Sequence, residues 1–352
     1  MKPIVAITMG DPCGIGPEVI VKALLNGDLY TTSHPFVIGD VAVMQNSASA
    51  FAPQLDVHPI QKVSEAVFQK NRLEILDMDA NSPKQRPDFF QPGVLNPKAA
   101  AAAFNAIETA AALALAREID AIATAPINKE GMKKIGFAFP GHTEFFAKAA
   151  NEDHFGMMMT GGHLKIMLAS IHLPLRDAIA QLNPDRLLKT IRLADATLKQ
   201  DFGLPRPHIA VAGLNPHAGE RGILGQEEKK AVVPAIHAAQ EEGLHVSGPY
   251  PADTLFYKLS RQSFDAAVAL YHDQALIPIK LIAFGRAVNF TAGLPFIRAS
   301  VDHGTAFDIA GKGVADPGSL KAAVKLAAEM AVHRYAQFKH STPMSHADQP
   351  DD

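Results

Sequence analysis

The feature that most constrains the fold of this chain is a regular alternation between apolar runs of strand length and helical stretches. Three such runs, Lys165–Ser170, His208–Ala212 and Asp265–Leu270, each end in a polar motif. Helical stretches at Pro184–Lys199 and Glu227–Glu242 separate them. This alternation predicts a mainly parallel sheet with helices on both faces. Ligands bind such sheets beyond the carboxyl ends of the strands, which is where the polar motifs fall.

The N-terminal third shows the same pattern, and a single helix follows near the end of the chain. The strand candidates are 4–8, 36–40, 73–78 and 120–125, and the helix candidates are 17–25, 97–119 and 319–338. A length of 352 residues favours two domains. We expect residues 1–130 with 300–340 to form the first α/β domain and residues 131–299 to form the second. The polar, aperiodic tail 341–352 is predicted to be disordered.

Composition argues against several classes of protein. The net charge of −3, the absence of Trp and the presence of only 5 Tyr disfavour a nucleic-acid-binding surface. No apolar run reaches the ~18–20 residues that a membrane-spanning helix requires, and no signal peptide is visible at the N-terminus. The single cysteine, Cys13, cannot form an intrachain disulfide and favours a reducing compartment. We therefore expect a cytoplasmic protein.

Three histidines follow three of the predicted strands at comparable places. His172, His217 and His272 each lie two to five residues beyond a strand-like run. If those strands are neighbours, the imidazoles converge, and three neutral imidazoles leave an open coordination position on a divalent metal. Asp253 and Asp273 lie close enough in sequence to act as partners of these ligands or as a base. The alternative is that each histidine is an ordinary hydrogen-bonding loop residue.

Five further residues suggest a site for a phosphate or a carboxylate. His142 and Thr143 precede an apolar helical run in PGHTEFF, where unpaired N–H groups and the helix dipole favour an anion. The alternative for Thr143 is a simple helix cap. Lys280, Asn289 and Arg298 follow at intervals of nine in a mostly apolar stretch, so the two cations require partners. An internal salt bridge would satisfy either cation as well as a bound anion would.

Two glycine-rich stretches, MGDPCGIGPE near the start and DHGTAFDIAGKG near the end, raise the question of a dinucleotide site. The first lacks the GxGxxG spacing, so a Rossmann-type site is not predicted. Together they resemble the two ends of the isocitrate and isopropylmalate dehydrogenases, which have two α/β domains and an active site in the cleft between them. This resemblance implies that the loop 302–313 binds NAD or NADP. The implied contact residues are Asp302, His303, Gly304, Thr305 and Asp308.

The internal motifs narrow the resemblance. TAPINKE, PGHTEFF, HLPLRD, GLNPHAGE, GPYPADTLF and YHDQALIPIK together resemble the 4-hydroxythreonine-4-phosphate dehydrogenase family of pyridoxal phosphate biosynthesis, from about Ile4 to Ala328. The resemblance implies a homodimer with its active site at the subunit interface and a divalent metal (Zn²⁺, Co²⁺ or Mg²⁺). It assigns the metal to the three histidines and the substrate to His142, Thr143, Lys280, Asn289 and Arg298. Cys13 departs from the family pattern, where alanine is expected.

The activity implied by this resemblance is the oxidation and decarboxylation of 4-(phosphooxy)-L-threonine to 3-amino-2-oxopropyl phosphate. We expect Asp253 or Asp273 to act as the base. Two alternatives remain. One is a 4-phospho-D-threonate or 4-phospho-D-erythronate dehydrogenase of sugar-acid catabolism. The other is a phospho-ligand binding protein on the same frame, in which the metal is structural.

Overall fold

The computed structural model describes residues 2–77 and 90–341. Its strands are β1 (Ile4–Thr8), β2 (His34–Gly39), β3 (Asp56–Ile60), β4 (Arg72–Asp77), β5 (Ala121–Thr124), β6 (Gly156–Gly161), β7 (Leu164–Leu168), β8 (Ile209–Ala212), β9 (Val246–Tyr250), β10 (Ala266–Ala269), β11 (Val288–Ala292) and β12 (Ile297–Val301). Its α-helices are α1 (Gly16–Leu24), α2 (Leu29–Thr32), α3 (Val41–Phe51), α4 (Pro97–Leu115), α5 (Lys129–Lys134), α6 (His142–Ala149), α7 (Leu175–Ala180), α8 (Pro184–Gln200), α9 (Val233–Glu241), α10 (Ala252–Ser260), α11 (His272–Ala283) and α12 (Gly318–Ser341).

These strands form one sheet with the order β3-β4-β2-β1-β5-β12-β11-β6-β7-β10-β8-β9. Within the described ranges, only the pairs β12–β11, β11–β6 and β6–β7 are antiparallel. The prediction of a mainly parallel sheet is therefore confirmed. The antiparallel pairs lie in the middle of the sheet, where the β11–β12 hairpin joins the strands of the first part of the chain to those of the second.

Helices cover both faces of the sheet, as predicted. On one face, α1, α3, α8, α9 and α12 pack against the buried sides of the strands and form a continuous apolar core. On the other face there are two separate cores, one beneath α4 and α6 and one beneath α10 and α11. None of the helices in residues 2–77 and 90–341 combines the length and the apolar character that crossing a bilayer requires.

Local sequence signals explain where the long helices begin and end. Asn183 caps α8 by accepting a hydrogen bond from the Arg186 N–H, and Pro184 occupies the first helical turn. The helix predicted at 97–119 ends earlier, at Leu115, because Arg117 adopts a positive φ of 60° and turns the chain towards β5. The helix predicted at 227–242 begins with a π-helical turn, Glu228–Val232, before α9.

The strand order separates two groups of strands. One group, β1–β5 with β12, comes from residues 4–124 and 297–301, and the other, β6–β11, comes from residues 156–292. The predicted domain boundaries at 130 and 300 stay a prediction. The predicted disordered tail lies outside the described residues, except for Ser341, which ends α12.

Candidate functional site

A cavity of about 330 Å³ lies between the two groups of strands. We call it the central cavity. Its walls include the first turn of α6, the segment after β5, the starts of α5 and α11, and the β11–β12 hairpin. The predicted site residues that line it are His142, Thr143, His172, His272, Asn289, Arg298, Asp302, His303 and Gly304. The sequence distributes these residues over 163 positions, and the sheet brings them to one place.

Arg298, near the start of β12, forms part of the wall of this cavity. It is 1% exposed, and its guanidinium donates to the hydroxyl oxygens of Thr124 at 2.6 Å and Thr291 at 3.1 Å. It forms no ion pair with a carboxylate of the described residues, and burial lowers its pKa to about 9. A buried cation held by hydroxyl groups and the Phe146 ring, with no carboxylate partner among the described residues, indicates a site for an anion.

Unpaired polar atoms concentrate around the same cavity. Buried polar groups in proteins are almost always hydrogen-bonded, so each exception requires an explanation. Within the described residues, seven buried side-chain nitrogen or oxygen atoms have no partner. Four of the seven belong to the cavity wall: His142 Nε2, Asn289 Oδ1, Arg298 Nε and His303 Nε2. These atoms are arranged for a polar ligand.

The first turn of α6 supplies the anion side of this arrangement. Gly141 is the residue that caps the helix, and it offers no side chain to the helix N–H groups. The alternative in which Thr143 is the N-cap is therefore wrong, because Thr143 lies inside the helix with its hydroxyl 3.4 Å from Arg298 Nη1. Burial, followed by the charges of Arg298 and Lys129, lowers the pKa of His142 well below its ordinary value. His142 is thus a neutral hydrogen-bonding group.

Two of the three predicted metal ligands lie side by side. The imidazole rings of His172 and His272 are 5.7 Å apart between centroids. His272 Nδ1 donates to the carboxylate of Asp273 at 2.7 Å, which fixes the tautomer and leaves Nε2 with a free lone pair. Burial and nearby Lys129 lower the pKa of His172. The lowered pKa keeps His172 neutral, the form that a divalent metal binds, and the His272 ring is oriented beside it.

His217 does not join them within the chain. The strands before the three histidines are neighbours, in the order β7-β10-β8, as the prediction required. However, residues 217–221 form a left-handed turn that leaves His217 exposed. Among the described residues, no three His, Cys, Asp or Glu side chains form a group able to hold a metal. His217 therefore lies apart from the pair formed by His172 and His272.

Lys280 approaches the site through the glycine-rich loop. Its ammonium lies 2.9 Å from Asp302 Oδ2, and the Asp302 side chain is 3% exposed. The internal salt bridge considered for Lys280 is therefore present. Ser319 Oγ, at 3.1 Å, holds the other carboxylate oxygen of Asp302. The start of the loop 302–313 is consequently fixed to both α11 and α12.

The remaining predicted residues lie nearer the surface. Asp253 is exposed in the first turn of α10, and its carboxylate accepts from the following N–H of Thr254. Asp273 is 72% exposed and is paired with His272. In the loop, the Thr305 carbonyl accepts from the Ile15 N–H at 3.0 Å, and Asp308 is exposed. MGDPCGIGPE and DHGTAFDIAGKG are thus in direct contact.

Sequence reasoning missed several residues at the cavity, including two charged ones and one that holds Arg298. Lys129 and Glu144 line it, and the Thr124 hydroxyl holds Arg298. Lys129 stands in TAPINKE directly after β5, so the rule of polar residues beyond strand ends would have identified it. Thr124 is the last residue of a buried strand, and its role depends on a contact with a residue 174 positions away.

The chain is similar to known proteins over almost its full length. Residues 31–327 match the family model of the pyridoxal phosphate biosynthetic protein PdxA. The 4-hydroxythreonine-4-phosphate dehydrogenase of Desulforapulum autotrophicum is 46% identical over 329 residues, which are 93% of this chain and 95% of that protein. The D-threonate 4-phosphate dehydrogenase of Pectobacterium atrosepticum is 44% identical over 332 residues, which are 94% of this chain and 100% of that protein.

A solved structure agrees with these matches. The 4-hydroxythreonine-4-phosphate dehydrogenase from Klebsiella pneumoniae superposes with a TM-score of 0.85 at 41% identity. The match covers 94% of this chain and 100% of that one. The family model and these relatives together span nearly the whole described fold.

Proposed function

The chain belongs to the PdxA family of pyridoxal phosphate biosynthetic proteins, and from this membership we propose a nicotinamide-dependent dehydrogenase of a phosphorylated hydroxy acid. The substrate that we propose is 4-(phosphooxy)-L-threonine, and the products are 3-amino-2-oxopropyl phosphate and carbon dioxide. The observation that carries the proposal is Arg298, a buried cation without a carboxylate partner among the described residues, in a cavity with four unpaired polar atoms.

The phosphate group binds at the first turn of α6 and Arg298. The guanidinium supplies charge and a free Nε–H, the Thr143 hydroxyl lies beside it, and neutral His142 adds Nε2. The N-terminus of α6, which has no side-chain cap, contributes the positive end of the helix dipole. Lys129 adds a second cation at the rim. This set matches a phosphate dianion in charge and in hydrogen-bond donors.

The imidazoles fit a divalent metal because the His172 and His272 rings lie side by side and Asp273 orients His272 from its Nδ1 side. We propose that His217 of a second copy completes the set, which makes the homodimer the active form. A bound divalent metal would supply Lewis-acid polarisation of the substrate 3-hydroxyl and of the carbonyl that replaces it.

The reaction then requires proton removal, hydride transfer and loss of carbon dioxide. The 3-hydroxyl loses its proton to a base while hydride leaves C3 for C4 of the nicotinamide, and this gives a β-keto acid. The C1–C2 bond breaks next, carbon dioxide leaves, and the electron pair moves towards the new carbonyl. The resulting enolate then takes a proton from solvent at C2, which gives the amino ketone. We propose that the loop 302–313 holds the cofactor and that Asp253 or Asp273 takes the proton. Asp273 also orients the His272 imidazole through its hydrogen bond to Nδ1.

The names of the relatives leave two substrate classes, an amino acid and a sugar acid. The test is the formation of reduced nicotinamide with 4-(phosphooxy)-L-threonine, 4-phospho-D-threonate and 4-phospho-D-erythronate, each with and without a chelator. We expect chelator-sensitive turnover of the amino acid. Turnover of a sugar acid alone would support the same reaction type and would identify the substrate as a sugar acid. Binding of all three without turnover, after metal is restored, would instead identify a phospho-ligand binding protein.

A further inference from the structure

The segment that carries His217 is strained. Residues 217–221 all have positive φ, between 43° and 78°, and only Gly219 is a glycine. A left-handed conformation costs roughly 1–2 kcal/mol for each non-glycine residue. Such strain persists only where the surrounding structure holds it, and it concentrates at functional sites. Another part of the chain must therefore hold this turn.

Glu228 is the residue that does so. Its side chain is buried, with the residue 3% exposed, and Oε1 accepts from the N–H groups of Leu214 at 2.9 Å and Asn215 at 2.7 Å. Oε2 accepts from Asn215 Nδ2 at 2.9 Å. A Cβ atom added to Gly219 would lie 2.5 Å from the same Oε2. The carboxylate thus anchors the segment entering the turn and packs against its centre.

The backbone around Glu228 is itself unusual. Glu228 begins the π-helical turn Glu228–Val232, and π-helical turns often occur at functional sites. The preceding Glu227 also accepts from Asn215 Nδ2, at 2.8 Å. Asn215, two residues before His217, is therefore held between two carboxylates. Glu228 forms no ion pair with a cation in the described part of the chain, so its charge is directed to these N–H groups.

We propose that Glu228 is a positioning residue for His217. By holding the left-handed turn, it directs the exposed imidazole away from its own chain as a ligand for a divalent metal in a second copy. This inference rests on the proposed function, because it requires the metal site that two copies share. Glu228 acts through the backbone of residues 214–219 rather than through contact with the metal.

The test is metal binding by the purified apo-dimer, measured by calorimetric titration with Zn²⁺ and by the absorption of bound Co²⁺. In Glu228→Gln, a neutral amide replaces the carboxylate at nearly constant volume. We expect metal affinity to fall about 10–100-fold, the range typical of residues that orient metal ligands. Gly219→Ala should weaken binding in the same way, since its methyl group displaces the carboxylate and strains the turn. Light scattering verifies that each variant remains a dimer.

Glu74→Gln is the matched control. Glu74 is equally buried and accepts from the N–H groups of Val67 and Phe68 and also from Arg72 Nε, but it lies on β4 towards the sheet edge. A purely structural role for Glu228 would lower the stability of both glutamine variants and leave the metal affinity of both unchanged. That result would overturn the inference.

His217→Ala distinguishes a failure of the shared metal site from a failure of the role of Glu228. If His217→Ala binds metal as the wild type does, the shared metal site of the proposed function fails. If His217→Ala loses binding while Glu228→Gln and Gly219→Ala keep wild-type affinity, only the role of Glu228 is overturned. Weak binding in all three variants, with normal binding in Glu74→Gln, is the expected result.

Discussion

The buried guanidinium of Arg298 costs folding free energy, because it has lost its hydration. A guanidinium buried without a carboxylate destabilises the protein unless something offsets the lost hydration. The three hydroxyls around it replace only part of the lost hydration. The pKa of Arg298 is therefore lowered by burial. Residues that break a local rule in this way are typically those that function requires.

The first prediction concerns the shape of this cation. Arg298→Lys keeps the charge but loses the planar fork that reaches Thr124 and Thr291 together and leaves Nε–H for the ligand. We expect kcat/KM for the phosphorylated substrate to fall about 10–100-fold, since hydrogen bonds to charged groups contribute about 1.5–3 kcal/mol each. Steady-state kinetics measure this. Arg192→Lys, on the surface beside Glu242, is the control and should have wild-type kinetics.

The second prediction concerns Asp11, which is fully buried in GDPCGIGPE with Oδ2 unpaired. Burial raises its pKa to about 6 from the ordinary 3.8. The native state therefore holds a proton that the unfolded state releases between these values, so this group's contribution makes stability fall as pH rises from 4 to 6. Asp11→Asn removes the effect and should gain about 3 kcal/mol relative to the wild type across this window. Urea unfolding at both pH values measures the gain, and an equal difference at both would contradict it.

The residues of the site were predictable to different degrees. His142, Asn289 and Arg298 could be identified because polar side chains in apolar surroundings require partners. The exposure of His217 could not be predicted. The left-handed turn depends on a contact with the buried carboxylate of Glu228, and no local sequence pattern indicates that contact. Sequence spacing predicted neighbouring strands correctly but carried no information about the direction of the turn after β8.

At the scale of elements, the loop 302–313 is held at both ends by helices that are distant in sequence. Glu18 of α1 is 2% exposed and accepts from the N–H groups of Ala315 at 2.8 Å and Gly313 at 3.3 Å. Lys22, one turn later, donates to Glu18 and to the carbonyls of the same two residues. The ion pair thus closes the far end of the proposed cofactor loop onto α1.

The third prediction follows from this arrangement. Glu18→Gln weakens the charge-assisted bonds at the end of the loop, and we expect KM for the nicotinamide cofactor to rise about tenfold. KM for the phosphorylated substrate should stay unchanged, because the central cavity is bounded by the other end of the loop. Initial rates with each substrate varied in turn measure the two constants. An equal rise in both would indicate general loosening of the fold and would contradict a role confined to the loop.

The buried parallel strands and the long helices were predictable, whereas several other strands and most of the short helices were not. Buried strands such as β1 and β8 and the capped helix α8 follow from apolar periodicity and end signals. The central strands β6, β11 and β12 escaped prediction, because antiparallel pairing interrupts the strand–helix alternation that the prediction used. The edge strands β3 and β9 escaped it as well. The π-helical turn before α9 was read as ordinary helix, since its sequence has the same apolar spacing.

At the scale of the whole molecule, the proposed site is complete only in a dimer. The fourth prediction uses heterodimers assembled from His172→Ala and His217→Ala chains with different affinity tags. If His217 serves the other copy's cavity, one of the two sites in this heterodimer is intact, and activity should be about half that of the wild-type dimer. Each parent homodimer should be inactive.

A second heterodimer provides the control. His172 and His272 line the same cavity of one chain, so pairing His172→Ala with His272→Ala damages both sites and should give no activity. Inactivity of both heterodimers would show that all ligands come from one chain, contrary to the proposal.

The position of β12 has a consequence for synthesis of the chain on the ribosome. β5 pairs with β1 as soon as residue 124 has emerged, but its other neighbour, β12, is made only at residues 297–301. At a synthesis rate of about 5–20 residues per second, one edge of β5 stays unpaired for roughly ten to thirty-five seconds before β12 is made. During that time it presents an open apolar edge of the kind that joins other chains. The nascent protein should therefore depend on chaperones more than its finished stability suggests, and chains released before residue 297 should aggregate.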